Sequence, residues 1–418
     1  MFGSDKYLPR LADPVLDNLM AELPAVMLLG PRGCGKTTTA LRRAKAVLRL
    51  DQPDQAAVFR AAPDTVLAAA TKPVLLDEWQ NAPEALGAIK RAVDAGAAPE
   101  SFVITGSVRS RHLTAGWPGT GRIVPLNMDG LTVSEATRAT GSAMVMDQFF
   151  SPENPPTGQH QTAPDLIGYI DLAMRGGFPD VLKLSASARS AWFQGYVEDL
   201  VHRDVADLAE VRSPAAMNRL VRAIALNTAG QPSLATLAEA AGISHRTAVV
   251  YLDLLQELRV IERLEQWGAN HLKRLTRTPK YYVADPGLAA FLAGDSPDSL
   301  LQSGTRLGQL IDTFVMAQLR PLAKLALPRI TMLHLRSEAG RREVDLVLEA
   351  AAGQIVGIEI KAGATVEARS ARHLAWLRDH TGQAFVRGFV LHTGTATYPL
   401  GDRLWAMPIA QLWQHRSG

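Results

Sequence analysis

The eight residues Gly30-Pro31-Arg32-Gly33-Cys34-Gly35-Lys36-Thr37 satisfy the pattern G-x-x-x-x-G-K-S/T at every fixed position. Glycines at this spacing let backbone N–H groups converge on an anion without a Cβ in the way. The Lys36 ammonium is a point charge suited to β and γ phosphates, and the Thr37 hydroxyl is a magnesium ligand. A helix that starts here, through Thr38, turns its positive end toward the same anion. Forty-one residues after Lys36, the apolar run Val74-Leu75-Leu76 ends in Asp77-Glu78. Asp77 is expected to hold magnesium, directly or through water, and Glu78 to orient and deprotonate an attacking water. A third apolar run, 101–106, leads into Thr105-Gly106-Ser107. A hydroxyl there, Ser107 or Thr105, stands where it could sense a γ phosphate; either one could equally be a turn residue. Trp79 and Gln80 read as packing residues, the alternative being contact with a neighbour. The cofactors implied are ATP and Mg2+.

A second set of charged residues lies near the other end. Arg342-Glu343-Val344-Asp345 opens one strand-like run and Ile358-Glu359-Ile360-Lys361 closes another. Period two puts Glu359 and Lys361 on one face of a strand, with Asp345 able to meet them from a neighbour. Two carboxylates and a lysine make a magnesium site with a charge to steady water or phosphate, and Glu338 or Glu343 is a possible further acid. The arrangement resembles the PD-(D/E)xK nuclease fold. The bland alternative is three charged residues at the edge of an ordinary sheet, and an intermediate one is a fold that binds without cutting.

The elements that must position these groups follow from the apolar pattern. Residues 8–24 read as an amphipathic helix ending at Pro24, 25–30 as a buried strand and 37–50 as a helix. Strands over 73–77, 101–106 and 122–127, with helices between, define a doubly wound parallel α/β domain over 1–140. Residues 141–164 are rich in Ser, Pro, Gly and Gln and read as a linker or insert. A helical lid is expected over 165–212. Over 213–290, the helices 234–241 and 244–257, joined at Gly242 with Ser244 as N-cap, outline a helix-turn-helix within a winged-helix module. Bound to DNA, such a module would turn His245, Arg246 and Thr247 to base edges and set Arg263, Lys273, Arg274, Arg277 and Lys280 on phosphates, near Trp267, Asn270 and His271. The alternative is a winged helix that only packs against its neighbours. From 300 to 418, β patterns at 330–336, 343–349 and 355–361, a helix near 366–380 and a strand at 385–391 make a second α/β unit.

The run LLDEWQ, then VITGS, then GR ahead of a PL-containing strand, resembles a bacterial and archaeal family of AAA+ P-loop ATPases with a C-terminal domain of unknown function. The resemblance covers nearly the whole chain, although the piece at 140–164 is longer than the family pattern. It implies an ATPase core and a rear domain carrying the E-V-D and E-x-K runs. If subunits assemble into a homo-oligomer, it also implies an arginine finger, for which Arg122 matches the GR position and Arg109 and Arg111 are alternatives. Gly176-Gly177-Phe178-Pro179 resembles the GGxP turn that opens the lid of archaeal-type ATPases, where the proline, here Pro179, lies against adenine. An ordinary helix–helix turn is the competing reading.

Composition bounds the rest. A chain of 418 residues with 47% apolar and 20% charged residues suits several packed domains. A net charge of +3 permits nucleic-acid binding without arguing for it. One cysteine, Cys34, allows no internal disulfide and excludes a cysteine-rich zinc site, which points to a reducing cytoplasm. The first ten residues do not read as a signal peptide, and no apolar run approaches the length of a membrane span.

Overall fold

The computed structural model describes residues 7–106, 120–139, 145–160, 162–204, 213–268, 277–337 and 341–414. The expected first unit is present. Helix α1 (Ala12–Glu22) leads into β1 (Ala25–Leu29), then the glycine loop and α2 (Lys36–Leu41). β2 (Ala46–Arg49), α3 (Pro53–Ala61), α4 (Pro63–Ala69), β3 (Val74–Asp77), α5 (Glu84–Asp94), β4 (Phe102–Gly106) and β5 (Val124–Asn127) complete a parallel five-stranded sheet of order β2-β3-β4-β1-β5. Strands covered on both faces must be apolar at every position, which is why β1, β3 and β4 stand out in the sequence. Val26 and Leu28 pack with α1 on one face, while Ala25, Met27 and Leu29 pack with α5 and Trp79 on the other.

The helix expected over 37–50 stops at Leu41, and Ala46–Arg49 is an edge strand paired with β3. Local helix propensity is good throughout this stretch. It loses to the parallel pairing that Val47 and Leu48 make beside Leu75 and Leu76.

After α6 (Val133–Thr137), the described part of the stretch read as a linker or insert packs against the rest of the protein, as an insert would. It forms α7 (Val145–Phe150) and a short strand β6 (Gly158–Gln159), which pairs with β13 of the rear sheet. Phe149 is buried and stacks on Phe389, ring centroids 4.7 Å apart. A single apolar patch, Val145 to Phe150, is too short a signal to outweigh the Pro- and Ser-rich residues around it.

The middle of the chain is helical: α8 (Leu166–Arg175), α9 (Ala186–Asp199), α10 (Pro214–Leu226), α11 (Leu234–Ala241) and α12 (His245–Glu257). Ser244 caps α12 by accepting from the Thr247 N–H at 3.1 Å. An antiparallel pair, β7 (Ile261–Leu264) and β8 (Lys280–Val283), follows. Then come α13 (Pro286–Ala293), α14 (Pro297–Gln302) and α15 (Gly304–Leu325), a 22-residue helix.

The rear unit is a mixed sheet. β9 (Ile330–Arg336), β10 (Glu343–Ala350) and β11 (Ile355–Lys361) form an antiparallel meander. α16 (Arg372–Thr381) then leads to β12 (Phe385–His392), parallel to β11, and β13 (Ala396–Gly401) and β14 (Leu404–Pro408) finish the sheet. The last two strands, and α15, were not expected from the sequence. α15 and α7 cover one face of the sheet and α16 the other.

Docking of the 141–164 stretch has a direct test. Phe149→Ala should cost about 3–5 kcal/mol in urea unfolding, the range for a large aromatic lost from a core. A cost below about 1 kcal/mol would return this segment to the role of a free linker.

Candidate functional site

The carboxyl end of β1 meets the end of β5 so closely that a Cβ on Gly30 would stand 2.0 Å from the Met128 carbonyl oxygen. Glycine is therefore required there for backbone packing as well as for anion approach. Gly35 has φ of +98° and opens α2 from the left-handed region. Lys36 Nζ donates to the carbonyls of Gly30 and Pro31, both at 2.9 Å, so the ammonium is held inside the loop. Asp77, 3% exposed, receives the Thr37 hydroxyl at 2.7 Å and the Thr105 hydroxyl at 2.5 Å, both on Oδ1. The three strand ends expected to cooperate thus converge on one carboxylate oxygen. Glu78 follows with φ of +54°, its N–H donating to the Thr105 hydroxyl at 3.3 Å and its carboxylate accepting from Gln80 Nε2. Trp79 is fully buried, as its packing role requires.

Two arginines at this site escaped the sequence reading. Arg10, 6% exposed, donates to the Cys34 carbonyl and the Asp129 carbonyl at 2.7 Å each and pairs with Glu135 at 3.0 Å. It braces the glycine loop from below, and no motif marks it. Arg49 Nη1 lies 3.7 Å from Asp77 Oδ2, brought there by the strand that was read as helix.

The Gly176–Pro179 turn packs on the loop. Pro179 lies 3.7 Å from where a Gly35 Cβ would stand, and Phe178 and Trp192 approach Gly33 in the same way at 3.6 and 3.8 Å. The turn is held by the Gly177 N–H, which donates to Asp285 at 2.6 Å, and by the Gly177 carbonyl, which accepts from Leu131 at 2.6 Å. Behind it, a buried ionic cluster joins all three parts of the chain. Asp129 takes Arg320 at 3.0 Å and Lys324 at 3.3 Å, and Glu262 takes Lys324 at 2.9 Å. Burial pushes both carboxyls up, but Lys324 and Arg320 overcome it and hold both below the ordinary carboxylate range.

Among the other expected residues, Arg122 stands just before β5, at the end of the sheet opposite the glycine loop. There it is exposed and pairs with Asp94 at 2.8 Å. Within one chain it does not approach Lys36. Ser107, Arg109 and Arg111 lie outside the described residues, as do Glu338, Asn270, His271, Lys273 and Arg274. His245 and Arg246 are exposed at the start of α12, with Thr247 partly covered. Lys280 and Arg263 do not form a phosphate-binding surface. Lys280 is buried on Asp312 at 2.6 Å, and Arg263 turns back to Asp253 at 3.1 Å. An isolated basic residue in a sequence carries no sign of a buried partner thirty residues away.

In the rear sheet, Asp345, Glu359 and Lys361 do converge. They line a cleft of about 340 Å³ with Glu343, Arg369, Arg372 and His373. Asp345 sits where the β9–β10 register shifts, and such bulges re-aim side chains. Its Oδ2 accepts from the Ile360 N–H at 2.9 Å, and Lys280 lies 3.4 Å from Oδ1. Lys361 reaches Glu359 Oε2 at 2.9 Å, while Glu359 Oε1 is buried with no hydrogen-bond partner among the described residues, His373 being 3.8 Å away. Burial, with Asp345 beside it, pushes the Glu359 carboxyl up to about 8, whereas Lys280 and Lys361 hold Asp345 below the usual range. Hard oxygen donors with one unsatisfied buried oxygen suit a divalent cation. Among the described residues, however, no group of three or more His, Cys, Asp or Glu side chains is arranged to hold one. His373 was invisible to motif reading because it reaches the site from α16.

A parallel sheet whose β1, flanked by β4 and β5, ends in this loop, with threonine hydroxyls gathered on the acid at the end of β3, is the architecture of a P-loop NTPase. Residues 22–137 match the AAA domain, 167–299 a domain of unknown function (DUF8612) and 307–412 another (DUF4143). The chain is 30% identical over 395 residues to uncharacterized proteins of Mycobacterium tuberculosis and Mycobacterium bovis, covering 93% of this chain and 81% of each relative. It belongs to their family, and in this chain the AAA domain precedes the DUF4143 domain. The AAA match supports nucleotide binding and ATP hydrolysis for the front of the chain. No helix of the described residues is long and apolar enough to cross a membrane.

Glu359 gives a pH test. Its folded value lies above the unfolded one, so the native state holds the extra proton between about pH 4.5 and 8, and stability falls as pH rises through that window. Glu359→Gln, measured in EDTA, should raise the melting temperature at pH 9 and leave it unchanged at pH 4. Equal shifts at both pH values would contradict the buried neutral acid.

Proposed function

We propose that the protein is a Mg-ATP hydrolase whose turnover moves the lid and rear domain relative to the P-loop core. The observation that carries this reading is the meeting of the Thr37 and Thr105 hydroxyls on Asp77 Oδ1, directly after the loop that holds Lys36. Gly30–Thr37 amides and Lys36 would bind the phosphates, with Arg32, Cys34 and Thr38 on the same wall. Thr37 and Asp77 are hard oxygen donors and would hold magnesium, which neutralises phosphate charge when bound. Glu78, in a left-handed conformation costly for a non-glycine residue, is aimed by its backbone to orient water; such strain is tolerated where function needs it. Thr105 takes the hydroxyl role at the third strand. Pro179 and Phe178, already packed on Gly33 and Gly35, would close over the base.

Lys36→Ala should reduce ATP turnover by at least about a hundredfold while leaving the melting temperature within a few degrees, as expected for loss of a transition-state charge contact. Full ATPase activity in that variant would sink the proposal.

A second reading concerns the rear domain. The unsatisfied Glu359 Oε1 beside Asp345 and Lys361 favours a PD-(D/E)xK-like site that takes a divalent cation and acts on DNA. The α10–α12 helices with the β7–β8 pair have a winged-helix outline. With Lys280 and Arg263 engaged internally, that module suits packing better than DNA contact. Plasmid nicking with Mg2+ should appear in wild type and vanish in Asp345→Ala and Glu359→Ala; no nicking in wild type would leave the rear domain a non-cleaving module.

A further inference from the structure

The rear cleft offers a cation fewer oxygens than its acids suggest. Asp345 Oδ2 accepts from the Ile360 N–H at 2.9 Å, and Oδ1 faces the Lys280 ammonium at 3.4 Å. Glu359 Oε2 is taken by Lys361 at 2.9 Å. Of the oxygens on these two carboxylates, only Glu359 Oε1 is buried with no partner among the described residues. That engagement accounts for the lack, among the described residues, of a group of three acids or histidines arranged around a metal ion. An unsatisfied carboxylate oxygen on a side chain 5% exposed is still a costly thing to keep, and a cation would relieve it.

Lys280 does not belong to the rear sheet. It opens β8, within the segment 167–299, whereas Asp312, Asp345 and Glu359 all lie within 307–412. The chain that leaves β7 is docked on the edge strand β9. The His334 N–H donates to the Glu265 carbonyl at 3.0 Å, and the Trp267 N–H donates to the His334 carbonyl at 2.5 Å. This docking brings Lys280, 3% exposed, between two acids of the rear unit. Its Nζ lies 2.6 Å from Asp312 Oδ2 as well as 3.4 Å from Asp345 Oδ1, and the Tyr282 hydroxyl donates to Asp312 Oδ1 at 3.0 Å. A buried ammonium is retained only where carboxylates neutralise it. It is also a compact point charge, so at Asp345 it does what a small metal ion would do, and it repels a second cation from the same carboxylate.

We propose that Lys280 and a divalent cation compete for Asp345, so that the docked β7–β8 pair holds the rear site poor in metal and its release opens the site. The proposal rests on the cation-binding reading of the rear domain and adds what controls it, a lysine supplied by another segment. In the docked state Asp312 and Asp345 share the Lys280 ammonium. When the lysine leaves, two buried carboxylates lose their countercharge, and a cation held by Asp345 and Glu359 Oε1 restores it. Wild type therefore loads metal weakly, at concentrations high enough to displace the ammonium.

The test is calorimetric titration of Mn2+ into the full chain without nucleotide, together with melting curves in EDTA and in Mn2+. Lys280→Met should bind Mn2+ about tenfold tighter than wild type or more, the scale expected when a positive charge beside the site is removed. It should melt below wild type in EDTA, and Mn2+ should raise its melting temperature more than that of wild type. Adding Asp345→Ala to Lys280→Met should abolish the tight binding, which separates this site from Asp77. Lys280→Gln keeps one donor for Asp312 and is the substitute if Lys280→Met does not fold. Equal Mn2+ affinity in wild type and the folded Lys280 variants, lost with Asp345→Ala, overturns the competition and leaves the cation reading standing. No binding that depends on Asp345 in any of these proteins overturns both, and leaves Lys280 a structural latch.

Discussion

One carboxylate oxygen organises the front of this protein. Asp77 Oδ1 takes hydroxyl hydrogens from Thr37 at the start of α2 and from Thr105 near the end of β4, so three chain segments are locked together at the carboxyl end of a parallel sheet. That geometry exists only because β1, β3 and β4 are buried on both faces and aligned in parallel register. Two hydroxyl donors satisfy the buried Oδ1, and Arg49 stands 3.7 Å from Oδ2.

The loop beside this point is supported from outside the AAA domain's motifs. Arg10 links the Cys34 carbonyl to the Asp129 carbonyl, and the Asp129 side chain is held by Arg320 and Lys324 of α15. Breaking a buried pair by removing one partner leaves an uncompensated charge, so these contacts bind the three segments into one energetic unit. α15 runs on to Asp312, where Lys280 joins it to the rear carboxylates. Ionic contacts and one continuous helix thus run without a break from the support of the glycine loop to the rear sheet.

Much of this was legible in the residues, for identifiable reasons. The strands of the front sheet are uninterrupted apolar runs, and the fixed glycine spacing between strand and helix is tied to one chemistry. The rear strands alternate apolar and charged residues, which put Glu359 and Lys361 on one face and allowed Asp345 to be matched with them. What failed depends on distant partners. Ala46–Arg49 looks helical until β3 lies beside it. The 141–164 stretch reads as a linker or an insert until Phe149 meets Phe389 and favours the insert. Lys280 looks like a surface cation until Asp312 and Asp345 surround it. Arg10 and His373 belong to no motif because their roles come from where the fold carries them.

Calorimetric titration of Mg-ATP into the full chain addresses the central claim most directly. A saturable heat with one nucleotide per chain, weakened when magnesium is chelated, is the expected result. No heat of binding from folded protein would contradict the account.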